Sequence, residues 1–188
     1  MSEELTLIEQ AIGALQLRDV MLNECNFRRP TAPPESDKIQ VQQLTKRNVT
    51  YVLGSADTED RGPIRLLQVF VALGIRVADA ADDGNDLTVY FQIEADFMVE
   101  YEVTSELSEA AIKAFADVNS VHNVWPFWRQ HVFDTVTRAR MPHLNVPLFG
   151  GGVRVRKQVA RQKLGVTAVP AKKSREPKKQ KSLPRSKG

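Results

Sequence analysis

The sequence predicts an α+β protein in which a four-stranded antiparallel sheet is followed by two helices. Two observations lead to this prediction. Apolar residues alternate with polar ones through much of residues 14–103, and helical spacing replaces that alternation from residue 105 onward. Strands grouped before helices, rather than alternating with them, are typical of an antiparallel sheet with its helices segregated to one side.

Charge divides the 188-residue chain into two parts. Residues 153–188 hold thirteen Lys or Arg against one acid, a charge of +12, which leaves residues 1–152 at −9. We therefore expect a globular domain over 1–152. The Lys-, Pro- and Ser-rich remainder, 153–188, is predicted to be a basic and largely disordered tail.

The clearest strand signal lies in residues 66–103. Every odd position from Leu87 to Val103 is apolar, and the positions from Val69 to Val77 alternate in the same way. The sequence ADDGND at 81–86 separates the two runs and suits a hairpin turn. This region is predicted to be a long β-hairpin with one buried face and one acidic, solvated face.

Two weaker strands precede the hairpin, at 14–27 and 39–53. In the first, the apolar phase shifts between Leu17 and Val20, which predicts a β-bulge. Residues 28–37 and 55–63 have the composition of loops.

Two helices are predicted after the strands. The first covers 105–119, with Ser105 or Ser108 as its N-cap. The second runs from an N-cap at Asn123 to about Arg140 and places Pro126 in its first turn, where proline is tolerated. Residues 141–149 are expected to be extended.

The residues with reactive side chains do not point to an enzyme. Cys25 is the single cysteine, the three histidines lack metal-ligand spacing, and no glycine-rich phosphate loop is present. We therefore predict no catalytic residue, no metal and no cofactor. The N-terminus lacks a secretory signal and no segment is long enough to span a bilayer, so we expect a cytoplasmic protein.

An aromatic cluster, "WPFW" at 125–128, has two possible interpretations, as part of the hydrophobic core or as part of an interface. Aromatic residues at a helix start usually belong to a core. A small sheet with two helices, however, offers little room for so much apolar surface, so an oligomer interface or a peptide groove is an open alternative.

The run "NSVHNVWPFWRQHVFDTVTRARMPHLNVPLF" at 119–149 resembles the closing helix and following segment of the SecB export chaperones. The run "LQLRDVMLNECNFRRP" at 15–30 is similar to that family's opening strand. The resemblance covers about 15–149. It implies a dimer of dimers that holds unfolded client polypeptides without ATP, often before export.

The resemblance also implies residue roles. Ile93, Ala95 and Phe97 match the strand that forms the family's oligomer interface, and Glu24 and Glu94 match its acidic docking patch for the SecA motor. Arg28 and the basic tail depart from the motor-docking pattern. From apolarity alone, the candidate peptide-binding residues are Tyr90, Met98, Trp125 and Trp128.

Other functions stay open at this point. The chain is also compatible with a SecB-like chaperone of a toxin–antitoxin system, or with a structural oligomer that has no client. The tail would bind nucleic acid through phosphate contacts without base stacking, because it contains no aromatic residue. It would equally serve as a solubilising segment, or as one that docks on the acidic domain.

Overall fold

The computed structural model describes residues 2–31, 41–79, 87–141 and 143–149. Its elements, in chain order, are α1 (Ser2–Ala14), β1 (Leu15–Arg28), β2 (Val41–Thr58), β3 (Gly62–Asp79), β4 (Val89–Val103), α2 (Glu109–Phe115), a π-helical segment (Ala116–Ser120) and α3 (Val121–Arg138). The predicted α+β class is confirmed. The tail lies outside the described residues, and so does the hairpin turn predicted at 81–86.

The four strands form one antiparallel sheet in the order β1-β4-β3-β2. Strands β2, β3 and β4 follow one another as hairpins, whereas β1 pairs with the far side of β4 and is an edge strand. Register shifts interrupt β1 between Leu17 and Asp19 and between Leu22 and Glu24, so the predicted bulge is confirmed and a second one follows it.

One face of the sheet, here the helix face, carries the core. In β3 and β4 the odd-numbered side chains from Leu67 to Val77 and from Phe91 to Val103 point to this face and are buried, as the alternation predicted. The opposite face, here the open face, holds mainly polar and charged side chains of β4. The even-numbered residues of β4 from Gln92 to Glu102 are half-buried or exposed because none of the described helices covers them.

The helical layer is one nearly continuous rod, not two separate helices. Ser108 is the N-cap of α2 and accepts a hydrogen bond from the Ala111 amide at 3.2 Å, which confirms one of the two predicted caps. The π-helical segment then leads directly into α3. The N-cap predicted at Asn123 is therefore wrong: Asn123 lies inside α3, and Pro126 lies inside it too, beyond the first turn.

Two further boundaries differ from the sequence-based prediction. Residues 55–58 and 62–63, expected to be loop, continue β2 and β3 as a long ladder that pairs Thr58 with Gly62. Gly62 has φ of +72°, a conformation that glycine adopts at little cost and that allows the tight turn. Helix α1 was not predicted, although Leu7, Ala11 and Ala14 have the spacing of a buried helical stripe.

Candidate polypeptide-binding surface

Helix α3 lies on the helix face and packs against β4, β1 and β3. Its buried stripe is spaced at helical intervals and points to the sheet: Val121, Val124, Trp128, Val132 and Val136. Trp128 is 2% exposed, so its indole is part of the core. This burial fixes α3 on the sheet and leaves two flanks of the helix available for other contacts.

One flank of α3 holds an extended segment of the chain itself, residues 143–149, here called the strap. Trp125 Nε1 donates to the carbonyl of Pro147 at 2.8 Å, and Arg129 Nε donates to the carbonyl of Val146 at 3.1 Å. The side chain of Val146, within the strap, is buried. Side chains of α3 therefore hold an extended backbone by its carbonyl groups, which any polypeptide possesses.

The strap lies over the β2 side of the sheet. The Gln43 side chain is 3.5 Å from the Asn145 carbonyl, and the Arg47 guanidinium lies 6.0 Å from the Phe149 ring centre. Phe149 also contacts the Trp125 ring, at a centroid distance of 5.3 Å. The space between α3 and β2 is thus filled by the chain itself.

The other flank of α3 faces the β1 side. Among the apolar side chains that β1 directs to the helix face, three are exposed: Leu17 opposite Tyr101, Leu22 opposite Phe97, and Phe27 opposite Ile93. They are 47%, 48% and 38% exposed, although their partners on β4 are buried. These three residues, here the β1 apolar stripe, stay uncovered because β1 is the edge strand and the helical rod lies nearer the centre of the sheet.

Helix α3 adds to this uncovered surface. Phe127, 53% exposed, lies on the side of α3 away from the strap-binding residues Trp125 and Arg129. His131 follows one turn later and stacks on Trp128, with centroids 6.1 Å apart. Burial lowers the pKa of His131, an effect that Arg138 reinforces and Asp134 opposes, so this side of α3 carries a neutral imidazole at neutral pH.

Glu24 and Glu94, the predicted acidic docking pair, both lie on the open face. Glu24 is opposite Asp96, and the two line a depression of about 350 Å³ together with side chains of β2 and β3. Glu94 is bound by Lys46 Nζ at 3.2 Å.

Cations from the other strands reduce the negative charge of the open face. Arg18 lies 3.6 Å from Glu100 and 3.8 Å from Glu102, and Arg61 lies 3.3 Å from Glu102. The sequence showed a stripe of carboxylates. Only the strand register shows that several of them are neutralised across the sheet.

The four residues predicted to bind peptide have different environments. Tyr90 is 4% exposed and Trp128 is 2% exposed, so both are core residues with no side-chain surface for a ligand. Met98 is half-buried on the open face. Trp125 is half-buried and binds the strap. The sequence could not separate them, because apolarity alone does not say which face a helix or sheet covers.

The residues predicted at an oligomer interface are likewise in the core of this chain. Ile93, Ala95 and Phe97 are at most 3% exposed, because they lie on the helix face beneath the helical rod. Cys25 is exposed because it lies on the uncovered edge strand. Both placements have the same cause, which is the position of the helices over the sheet.

Sequence reasoning did not identify the β1 apolar stripe as part of a site. Its residues are an ordinary strand pattern, and nothing local distinguishes an uncovered strand from a covered one. Arg129 lies within the run that resembles the family's closing helix. Its contact with the strap carbonyl depends on the fold and has no local sequence signal.

Within the described ranges, no group of three His, Cys, Asp or Glu side chains could hold a metal ion. No helix in the part of the chain that the structure describes is long and apolar enough to cross a membrane. The contacts and exposed side chains described above offer apolar contact and hydrogen bonding to backbone carbonyls.

Comparison with solved structures shows the same fold in the Mycobacterium tuberculosis Rv1957 SecB-like chaperone, solved in complex with a ChAD peptide from the Rv1956 HigA1 antitoxin. The TM-score is 0.59 and the sequence identity 17%, over 79% of this chain and 99% of that chain. No protein-family model and no curated protein sequence matches the chain. At this identity, the likeness shows the fold.

Proposed function

We propose that this protein is an ATP-independent chaperone that binds extended apolar segments of non-native polypeptides. The observation that carries the proposal is the β1 apolar stripe: Leu17, Leu22 and Phe27 point to the core side of the sheet, yet each is more than a third exposed. Burying one such side chain fully contributes about 1.5–3 kcal/mol. Three of them, together with the exposed Phe127 on α3, offer apolar surface without a directional requirement on the ligand.

The contacts of the strap support the same reading. Trp125 and Arg129 show that α3 side chains of this protein can hold an extended backbone by its carbonyl groups. The outer edge of β1 adds unpaired backbone groups to which an extended client could hydrogen-bond. Backbone and apolar contacts together suit unfolded clients of varied sequence.

Two cellular roles fit such a chaperone. Export, the role of the family that the sequence resembles, uses an acidic docking surface for the motor. The corresponding Glu94 is paired with Lys46, and its neighbours on β4 are paired with Arg18 and Arg61. The solved neighbour of the same fold holds an antitoxin peptide. We therefore place antitoxin control ahead of export, and in either role the protein would act as an oligomer of the SecB type.

The proposal is tested by suppression of aggregation of a chemically unfolded client, without nucleotide. The test variant is Leu22→Thr/Phe27→Thr, which keeps residues suited to a strand while removing apolar surface. The control is Val52→Thr/Leu87→Thr, which replaces two residues that are 56% and 40% exposed and do not belong to the β1 apolar stripe.

We expect the wild type and the control to suppress aggregation equally. The β1 variant should need at least a fivefold higher concentration for the same effect. Equal suppression by the β1 variant would place client binding elsewhere. No suppression by the wild type would contradict the chaperone proposal itself.

A further inference from the structure

Helix α1 has an apolar stripe that the described chain leaves uncovered. Leu7, Ala11 and Ala14 form its covered side, and α1 packs against α2. A second line at helical spacing points away from that contact: Leu5 and Ile12 are 59% and 53% exposed, and Ile8 between them is half-buried. This second line is here called the α1 outer stripe.

Acidic side chains border the α1 outer stripe. A helical period of 100° per residue places Glu4 on one side of the stripe and Glu9 on the other. Helix α1 contains a third acid, Glu3, and no basic residue. A partner for this surface should therefore be apolar along one line and basic on both sides of it.

Residues 153–166, VRVRKQVARQKLGV, have that pattern in their sequence. They contain five basic residues and no acid. If the segment forms a helix on docking, the helical period would align Val153, Ala160 and Leu164. The same period places bases on both sides of that line: Arg156 and Lys163 on one, Lys157 and Arg161 on the other.

The end of the strap also bears on where residues 153–166 can reach. The strap ends at Phe149, whose ring lies 6.2 Å from that of His122 near the start of α3. Asn123, the next residue, binds Tyr101 near the end of β4. Thr104, just beyond β4, donates its amide to the carbonyl of Ala14 at 2.9 Å. The strap therefore ends near the start of α3, and α1 ends next to Thr104, the residue that follows β4.

We infer that residues 153–166 dock on the α1 outer stripe of the same chain, with their bases beside Glu4 and Glu9. The α1 outer stripe could also be covered by the α1 helix of a second copy. That pairing is less favourable, because it would bring two acidic helices together without a basic residue to compensate their charge. Docking would shield Leu5 and Ile12 from water and would position the remaining tail beside the domain.

The test is hydrogen–deuterium exchange of the full-length protein, followed by mass spectrometry at low salt. The test variant is Leu5→Asp/Ile12→Asp, which places charge on two exposed positions and leaves the covered side of α1 intact. The matched control is Val52→Asp/Leu87→Asp. A charge exchange, Glu4→Lys/Glu9→Lys combined with Arg156→Glu/Lys157→Glu, reverses one base on each side of the line and tests for rescue against Glu4→Lys/Glu9→Lys alone.

We expect residues 153–166 of the wild type and the control to exchange at least tenfold more slowly than residues 175–188. That protection should be lost in the α1 variant and in Glu4→Lys/Glu9→Lys, and regained in the charge exchange. No protection in the wild type would overturn the inference. Protection that depends on protein concentration would assign the segment to a second copy instead, and protection that appears only with added duplex DNA would assign it to nucleic acid. Client suppression does not enter this readout, so failure here leaves the proposed function untouched.

Discussion

Lys46 on β2 binds Glu94 on β4 across the intervening strand, at 3.2 Å between Nζ and Oε1. The residue between them in the register is Gly74 of β3. A Cβ at Gly74 would lie 3.3 Å from Glu94 Cγ and 3.4 Å from Lys46 Cβ. The absence of a side chain at Gly74 therefore leaves room for two residues separated by a strand to form an ion pair on the open face.

This pair gives Glu94 an altered pKa. Burial raises the pKa of Glu94, but hydrogen bonds from Lys46 and Gln92 and the charges of Lys46 and Arg76 outweigh that effect, so the net pKa is lowered. We expect Lys46→Gln to move the Glu94 pKa upward in a carboxyl NMR titration. Lys113→Gln, which removes a separate exposed pair with Asp117, should leave it unchanged. An unmoved Glu94 pKa in Lys46→Gln would contradict the assigned cause.

The lowered pKa of Glu94 also determines the direction in which the stability of the protein changes with pH. Because the folded pKa of Glu94 is lower than the unfolded one, its contribution to stability is present above the ordinary value of about 4.5 and is lost as the pH falls through the folded pKa. Urea unfolding between pH 7 and pH 3 should show a smaller loss of stability in Glu94→Gln than in the wild type.

A partly buried hydrogen bond joins α3 to the sheet and should be measurable as a coupling energy in a double-mutant cycle. Asn123 Nδ2 donates to the Tyr101 hydroxyl at 2.9 Å, and the Tyr101 ring packs edge-on against Phe115. We expect Tyr101→Phe and Asn123→Ala each to lower the free energy of unfolding by about 1–2 kcal/mol, since each leaves one polar partner without the other.

A double-mutant cycle in urea isolates this interaction, with an expected coupling of about 0.5–1.5 kcal/mol. Gln130→Ala, which removes an exposed hydrogen bond to Asp134 within α3, is the control and should change stability by less than about 0.5 kcal/mol. A coupling indistinguishable from zero would mean that the bond does not fix α3 on β4.

The two tryptophans of "WPFW" should differ sharply when replaced. Trp128 is a core residue, so Trp128→Ala should lower the free energy of unfolding by about 3–5 kcal/mol. Trp125→Phe keeps an aromatic ring but removes the donor to Pro147, and should cost only about 0.5–1.5 kcal/mol. Hydrogen exchange should show faster exchange of the strap in Trp125→Phe. Equal losses of stability in the two variants would contradict this division of roles.

Arg140, two residues beyond the end of α3, has an unfavourable backbone conformation. Its φ is +52°, while the Met141 amide donates to the Val136 carbonyl at 2.9 Å, as at many helix C-termini that use glycine. We expect Arg140→Gly to raise the free energy of unfolding by about 0.5–1 kcal/mol. The left-handed conformation costs a non-glycine residue roughly 1–2 kcal/mol, and glycine avoids that cost. Part of the gain is offset because glycine has a larger conformational entropy in the unfolded state.

Arg138→Gly is the matched control for this variant, since it also removes a cation from the end of α3. Arg138 is helical, so glycine there should lower stability by up to about 1 kcal/mol. Thermal unfolding of both variants measures these changes in stability. A loss of stability in Arg140→Gly would show that the conformation carries no strain that glycine relieves.

The sequence by itself determined the elements whose apolar pattern is local. The period of two from Leu87 to Val103 predicted β4 and its buried face, and Ser105 and Ser108 were the two predicted caps of α2, of which Ser108 is the observed one. These features follow from neighbouring residues within one strand or one turn, so they can be read without the rest of the fold.

Only the tertiary structure decided which apolar residues are covered. Phe97 and Leu22 are similar in sequence context and lie opposite each other in the sheet, yet Phe97 is 3% exposed and Leu22 is 48% exposed. The difference arises because the helical rod covers β3 and β4 and leaves the edge strand β1 open. Lys46 and Glu94 likewise meet through a register of three strands, which no local pattern encodes.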